Sequence, residues 1–309
     1  MAGRNWQKLS VLAKLETIYG TDAAPVATAN AMMVRDVTFT PLDAQEVSRD
    51  LMLPYLGDQG VVLAEMKGRM QFSVEVAGSG TAGSAPAYGP LLRACGLAEI
   101  VTANTSAVYS PISGGFEAVS IYWNHDGVKH VLLGCRGNVT LEFSPSKIAY
   151  WKFDLTGLYG SVTDLALPVG TYTGFKRPVV VNKANTTASL FATAMIAESC
   201  SIDLGQKIEG RFLIGAESVE LTDRSSTGTL VVQAGSVASL DVFGAAMSRT
   251  RGAFQVVHGT VAGNIVQVDA PQVEIGKPTT SQTQNIINYS LPLYFCTNAG
   301  NDEITFTIK

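Results

Sequence analysis

The chain has 309 residues, a net charge of −4, and 16% charged against 46% apolar residues, so its polar remainder is mostly Ser, Thr, Asn, Gln and Gly. That profile suits a β-rich chain with much surface buried in an assembly, and its charge supplies no basic field for gripping phosphates, which argues against tight nucleic-acid binding. The length holds one large or two ordinary domains, each with its own core.

The first twenty residues lack the continuous apolar core of a secretory signal, and no uncharged apolar run approaches the ~18 residues of a membrane span. A soluble cytoplasmic product with no membrane partner is expected. Cys95, Cys135, Cys200 and Cys296 form no CxxC pair and have no zinc-type His spacing beside them, so all four are expected as buried free thiols.

In chain order, the first readable strand covers 32–40 (MMVRDVTFT), and a long polar excursion with apolar ends follows at 41–60. MKGRMQFSVEVAGSG then alternates cleanly. Met70, Phe72, Val74 and Val76 share one face, and Arg69, Gln71, Ser73 and Glu75 the other, the pattern of a half-buried strand. Past a small-residue loop, Pro90 at a first helical position, Leu91, Leu92 and Cys95 on one side and Gly96 at the end specify a short helix. VSIYWNHDGVKHVLLG reads as a hairpin, because Asp126-Gly127 accepts the positive φ of a tight turn. Alternating strands follow at 138–143 and 148–155.

The second half repeats this order with similar strings. SIDLGQKIEGRFLIG parallels PLDAQEVSRDLMLPYLG, TGTLVVQAG stands for MQFSVEVAG, and SLDVFGAAMSRTRG, with Leu240, Phe243 and Met247 at helical spacing, stands for the first helix. An offset of 135 matches His130 with Ile265, Val131 with Val266 and Leu133 with Val268; an offset of 136 matches Trp151 with Ile287, Phe153 with Tyr289 and Leu155 with Leu291. A duplication places a boundary near 160–180 and gives domains 1–165, with an N-terminal arm, and 166–309.

Chemistry is scarce. GSGTAG at 78–83 fits a dinucleotide-binding pattern, but Pro86 and Pro90 interrupt the helix such a site needs and the next strands form a hairpin, so it reads as a loop. His125, His130 and His258 have no nearby Cys or carboxylate cluster, and no nucleophile elbow, zinc helix or phosphate loop occurs. The expectation is a non-enzymatic protein with no cofactor and no metal.

The ordered series ETIYGTDAAP, MMVRDVTFTP, the excursion, MKGRMQFSVEVAGSGTAGSAPAYGPLLRACGL, YSP, DGVKHVLLGCRGNVTLEF and FDLTGLYG resembles the tail-tube (major tail) proteins of siphophages, the long, non-contractile-tailed bacteriophages. The resemblance covers 15–160 clearly and the second half loosely. It implies a mainly β fold, here two tandem antiparallel β-sandwich or barrel domains, each with a short flanking helix. It also implies rings that stack into a tube for genome passage, with DNA only transiently in the lumen, tape-measure and tail-end proteins as partners, and a virion-tail location after assembly in the host cytoplasm. Two domains per chain then give homotrimeric rings of six domains, and a lumen of neutral or negative lining lets DNA slide. In such rings a long loop reaches a neighbouring subunit or ring. The matching candidates are Leu42, Asp43, Gln45, Glu46, Arg49, Asp50 and Leu51, and in the second half Leu204, Gln206, Lys207, Glu209, Arg211 and Leu213. Two alternatives share the composition: another tube-fold component, such as a tail terminator or secretion-tube protein, or a carbohydrate-binding β-sandwich using Tyr122, Trp123, Tyr150 and Trp151.

Overall fold

Alternation of apolar side chains dictates long strands, and a computed structural model describing residues 3–309 arranges them as antiparallel pairs. The first half contains β1 (Leu9–Leu15), α1 (Ala27–Asn30), β2 (Ala31–Met32), β3 (Arg35–Ser48), β4 (Val61–Glu75), α2 (Gly89–Ala94), β5 (Leu97–Thr102), β6 (Ser106–Pro111), β7 (Val119–His125), β8 (Val128–Phe143) and β9 (Tyr150–Asp164). The second contains β10 (Thr186–Leu190), β11 (Thr193–Met195), β12 (Ala197–Asp203), β13 (Gln206–Leu213), β14 (Ala216–Arg224), β15 (Thr227–Gln233), α3 (Val242–Ser248), β16 (Arg251–His258), β17 (Val266–Ile275), β18 (Thr279–Thr283), β19 (Ile286–Phe295) and β20 (Thr305–Ile308).

Strand order in the first half runs β3-β4-β9-β8-β7-β1-β2. In the second it runs β12-β15-β19-β17-β16-β10-β11. Position for position, each strand of one series has a counterpart in the other, and α2 and α3 each lie between the second and fifth members. The Asp126-Gly127 turn joins β7 to β8 with φ of 40° and 100°, as the sequence requires. Gly134, at φ 58°, lies where the β8–β9 register shifts, and the bulge bends β8 so that its first part pairs with β7 and its last residues with β12.

That last pairing joins the halves. Phe143, Glu142, Leu141 and Thr140 lie opposite Cys200, Ser201, Ile202 and Asp203. An eight-stranded sheet results, β3-β4-β9-β8-β12-β15-β19, whose eighth place is shared by β17 and β18, both paired with β19. One hydrophobic cluster underlies both halves, with Trp151 edge-on to Phe306 at 5.1 Å and Phe143 beside His258 at 5.6 Å.

Several expectations needed revision. The excursion at 41–60 is no separate loop, since β3 continues through Ser48 and pairs with β4 down to Val61, making a projecting hairpin. Residues 97–118 contain the β5–β6 hairpin, whose second strand pairs with β20 of the other half. Cys95, Cys135 and Cys200 are buried, but Cys296 is half-exposed, because it follows the last core residue of β19. The offset of 136 matches buried Trp151 with exposed Ile287, although it also matches buried Leu155 with buried Leu291. Alternation survives any even shift, so it does not fix one register. α3 starts after Leu240, with the Asp241 carboxylate accepting from the Gly244 N–H at 2.8 Å.

Candidate functional site

The eight-stranded sheet has one face in the core and the other free. Burial of Met70, Phe72 and Val74 in β4, Trp151, Phe153 and Leu155 in β9, and Val139, Leu141 and Phe143 in β8 turns their alternates outward. The outward face carries Lys67, Arg69 and Lys152, with Arg35 at its edge and Arg251 of the adjoining β16, against Asp43, Glu75, Glu142, Asp154, Asp203 and Glu274, spaced by Thr, Ser and Gln.

Arg69, Lys152 and Arg251 are each engaged by a carboxylate on a neighbouring strand. Arg69 Nε donates to Asp154 Oδ1 at 2.7 Å while its second guanidinium nitrogen reaches Oδ2, and that hydrogen bonding pushes the guanidinium pKa further up. Lys152 Nζ lies 2.6 Å from Glu142 Oε1, and Arg251 Nε lies 2.7 Å from Glu274 Oε1. Arg35 donates to the Tyr150 hydroxyl at 2.7 Å and pairs with Asp36 at 3.1 Å. Asp203 accepts from Asn138 at 2.6 Å and from the Gly205 N–H at 2.9 Å. Exposed pairs of this kind add little stability, but they offset the charge of the cations that make them.

The sheet also ends in two open edges. Among the described residues β3 pairs only with β4, and β18 only with β19. Unpaired backbone groups on such edges invite a further strand.

The contact candidates divide into two groups. Leu42, Asp43, Gln45, Glu46, Arg49, Asp50 and Leu51 all lie exposed on the β3–β4 hairpin, where Asp43 faces Lys67 at 3.8 Å and Asp50 accepts from Ser48. The tip beyond them exposes Met52, Tyr55 and Leu56. In the second half Lys207, Glu209, Arg211 and Leu213 are exposed on the β13–β14 hairpin, but Leu204 and Gln206 are buried. Leu204 donates its N–H to Val139 O at 3.1 Å, and Gln206 Nε2 donates to Cys95 O at 2.9 Å, so both are engaged with the first half.

Sequence reading missed what holds this hairpin down. Tyr19 Oη accepts from the Val219 N–H at 2.5 Å, and the buried Arg136 guanidinium donates to Val219 O at 2.9 Å, pairs with Glu220 at 2.6 Å and stacks over the Tyr19 ring. These residues are far apart in sequence, and no local pattern marks them. The glycine-rich loop at 78–83 is likewise an inter-half contact: Gly80 N–H donates to Gly263 O at 2.9 Å, and a Cβ on Gly78 would sit 2.1 Å from the same oxygen.

Burial shifts the titratable groups of the core. Burial pushes the Cys200 thiol up to about 12 and holds His258 below the ordinary imidazole range, with Thr186 2.8 Å from Nδ1. Among the described residues no group of His, Cys, Asp and Glu is arranged to hold a metal, and no helix is long and apolar enough to cross a membrane. Of the four aromatics of the carbohydrate-binding alternative, Tyr122, Trp123 and Trp151 are buried, and half-buried Tyr150 has the Arg35 guanidinium over its ring.

A comparison with curated proteins finds no match. The family model described as phage tail tube protein matches residues 6–295, and the chain belongs to that family.

Proposed function

We propose that this chain is a non-enzymatic subunit of the tail tube of a long, non-contractile-tailed phage, in which three chains close each ring and stacked rings enclose the channel for the genome. One observation carries this reading: the eight-stranded sheet consists of two four-stranded series of the same order, joined edge to edge at β8–β12 and open at both ends. Residues 1–165 and 166–309 then act as two related tube domains, and the β8–β12 seam is the template for the seam between chains. Copying that seam sets the β17–β18 edge of one chain antiparallel to the next chain's β3. Three such chains supply six sheets and leave no edge unpaired.

The cation-paired face lines the channel in this arrangement, so DNA passes without being held and a tape-measure protein occupies the lumen before it. Tail-end proteins close the stack, and assembly precedes release from the host cytoplasm. Negative-stain imaging of the purified chain tests the reading: stacked rings with a central channel are expected, and a chain that stays monomeric at high concentration would overturn it.

A further inference from the structure

The two halves fill the same corner of their cores differently. Strands β7 and β16 hold the same place in the two strand orders, and each carries a buried side chain two residues before its end, Trp123 and Val256. Trp123 lies opposite Val11 of β1, and its ring stacks on Phe39 at 5.0 Å, with His130 edge-on to Phe39 at 5.4 Å. Val256 lies opposite Ala188 of β10, so two small side chains stand where the first half places an indole and a valine. The space left over is a cavity of about 640 Å³, walled by Phe143, Val181, Ala188, Met195, Cys200 and Val256. Protein interiors are close-packed, and a mainly apolar hollow of this size is that of a ligand site. Its mouth carries one sign of free charge. Lys183 is exposed there, and the segment 165–197 contains Lys176, Arg177 and Lys183 but no Asp or Glu. Among the described residues no ion pair uses Lys183. Glu198 also borders the cavity, but its carboxylate accepts from the side-chain amide of Asn288 on β19.

We propose that this cavity binds a small amphiphile with one apolar chain and a carboxylate head. The chain occupies the space between β10 and β12 that the first half fills with the rings of Trp123 and Phe39, and the carboxylate meets Lys183 at the mouth. Most of the affinity comes from the methylenes that leave water, whereas pairing with an exposed lysine adds only a few-fold and sets which head group is preferred. The site goes beyond the ring reading and does not depend on it. It belongs to the second half of a single chain, so binding is measured on free chains, and the failure of either reading leaves the other standing.

The test titrates the full, unassembled chain with dansyl-undecanoate, whose fluorescence rises on leaving water, and displaces it with decanoate or with decyltrimethylammonium, its cationic counterpart. Saturable binding is expected, with decanoate displacing the probe at a concentration at least about threefold lower than the cation needs. Val256→Trp puts an indole where the first half has one, and is expected to weaken binding at least about tenfold in a folded chain. Should that variant not fold, Ala188→Leu, at a half-buried position in the same wall, is expected to weaken binding about threefold or more. Lys183→Glu lies on the surface, keeps the fold, and is expected to turn the preference toward the cationic amphiphile. No saturable binding, parental affinity in the folded cavity-filling variants, or an unchanged preference in Lys183→Glu would overturn the proposal. Either of the last two results would place the probe on exposed apolar surface such as Met52 and Leu56 instead.

Discussion

The surroundings of α2 and α3 differ although their places in the strand order match. Around α2 the chain supplies its own cover, from the β5–β6 hairpin, the β13–β14 hairpin and the ion pair of Arg93 with Glu117 at 2.5 Å, and Leu91 and Leu92 are fully buried. Around α3 it supplies almost none. The two similar arrangements thus differ at their helices: α2 is covered by contacts within the chain, and α3 leaves Phe243 and Met247 exposed. That asymmetry can be broken or sharpened by substitution.

The largest effect is expected where both halves share a core. Trp151→Ala removes a fully buried indole that packs on Phe306 of the second half, and should cost about 3–5 kcal/mol in chemical denaturation. Because the core is continuous, the variant is expected to unfold in one transition; two separated transitions would mean that the halves are independent. Next comes the anchor of the β13–β14 hairpin. Arg136→Ala strands Val219 O, Phe116 O and Glu220, and should cost about 2–3 kcal/mol, the partly exposed Glu220 keeping it below the figure for a fully buried pair. Arg211→Ala, on the exposed part of the same hairpin, is expected to change free-chain stability by under about 0.5 kcal/mol.

The helix ends give a contrast of sign. Gly96→Ala forces a side chain into a left-handed residue under Gln206 and should cost about 1–2 kcal/mol, whereas Arg249→Gly relieves a left-handed arginine with nothing above it and should gain up to about 1 kcal/mol. A loss at both positions would show that the α3 end is covered after all.

A smaller effect follows from pH. Burial lowers the pKa of both His258 and His130, so the unfolded chain takes up protons more readily than the folded one. Stability is then fully present above the unfolded pKa of about 6.5 and is lost as pH falls below it. His258→Gln should flatten part of that slope in urea titrations at pH 5–8, and an unchanged slope would remove His258 from the account. Finally, native labelling with a maleimide is expected to modify Cys296 and spare Cys95, Cys135 and Cys200.

Much of this fold was legible locally. The alternation of β4, the Asp126-Gly127 turn and the Pro90 to Gly96 helix are each set by neighbouring residues, and each stands where the sequence puts it. What was hidden is non-local. β20 is only Thr305–Ile308, too short to read, yet it ties β17 to β6. The burial of Leu204 and Gln206 depends on which strand pairs with β8, and no spacing within 203–215 reports that. The same holds for the outward sheet face: Arg69 and Asp154 are separated by 85 residues, and only strand pairing brings them together.

The central claim is that the seam between chains copies the seam between β8 and β12. A cryo-electron-microscopy reconstruction of assembled tubes at side-chain resolution tests it directly. Threefold rings of three chains, with the β17–β18 edge of one chain hydrogen-bonded antiparallel to β3 of the next, are the expected result; rings of six chains, or chains joined through any other edge, would contradict it.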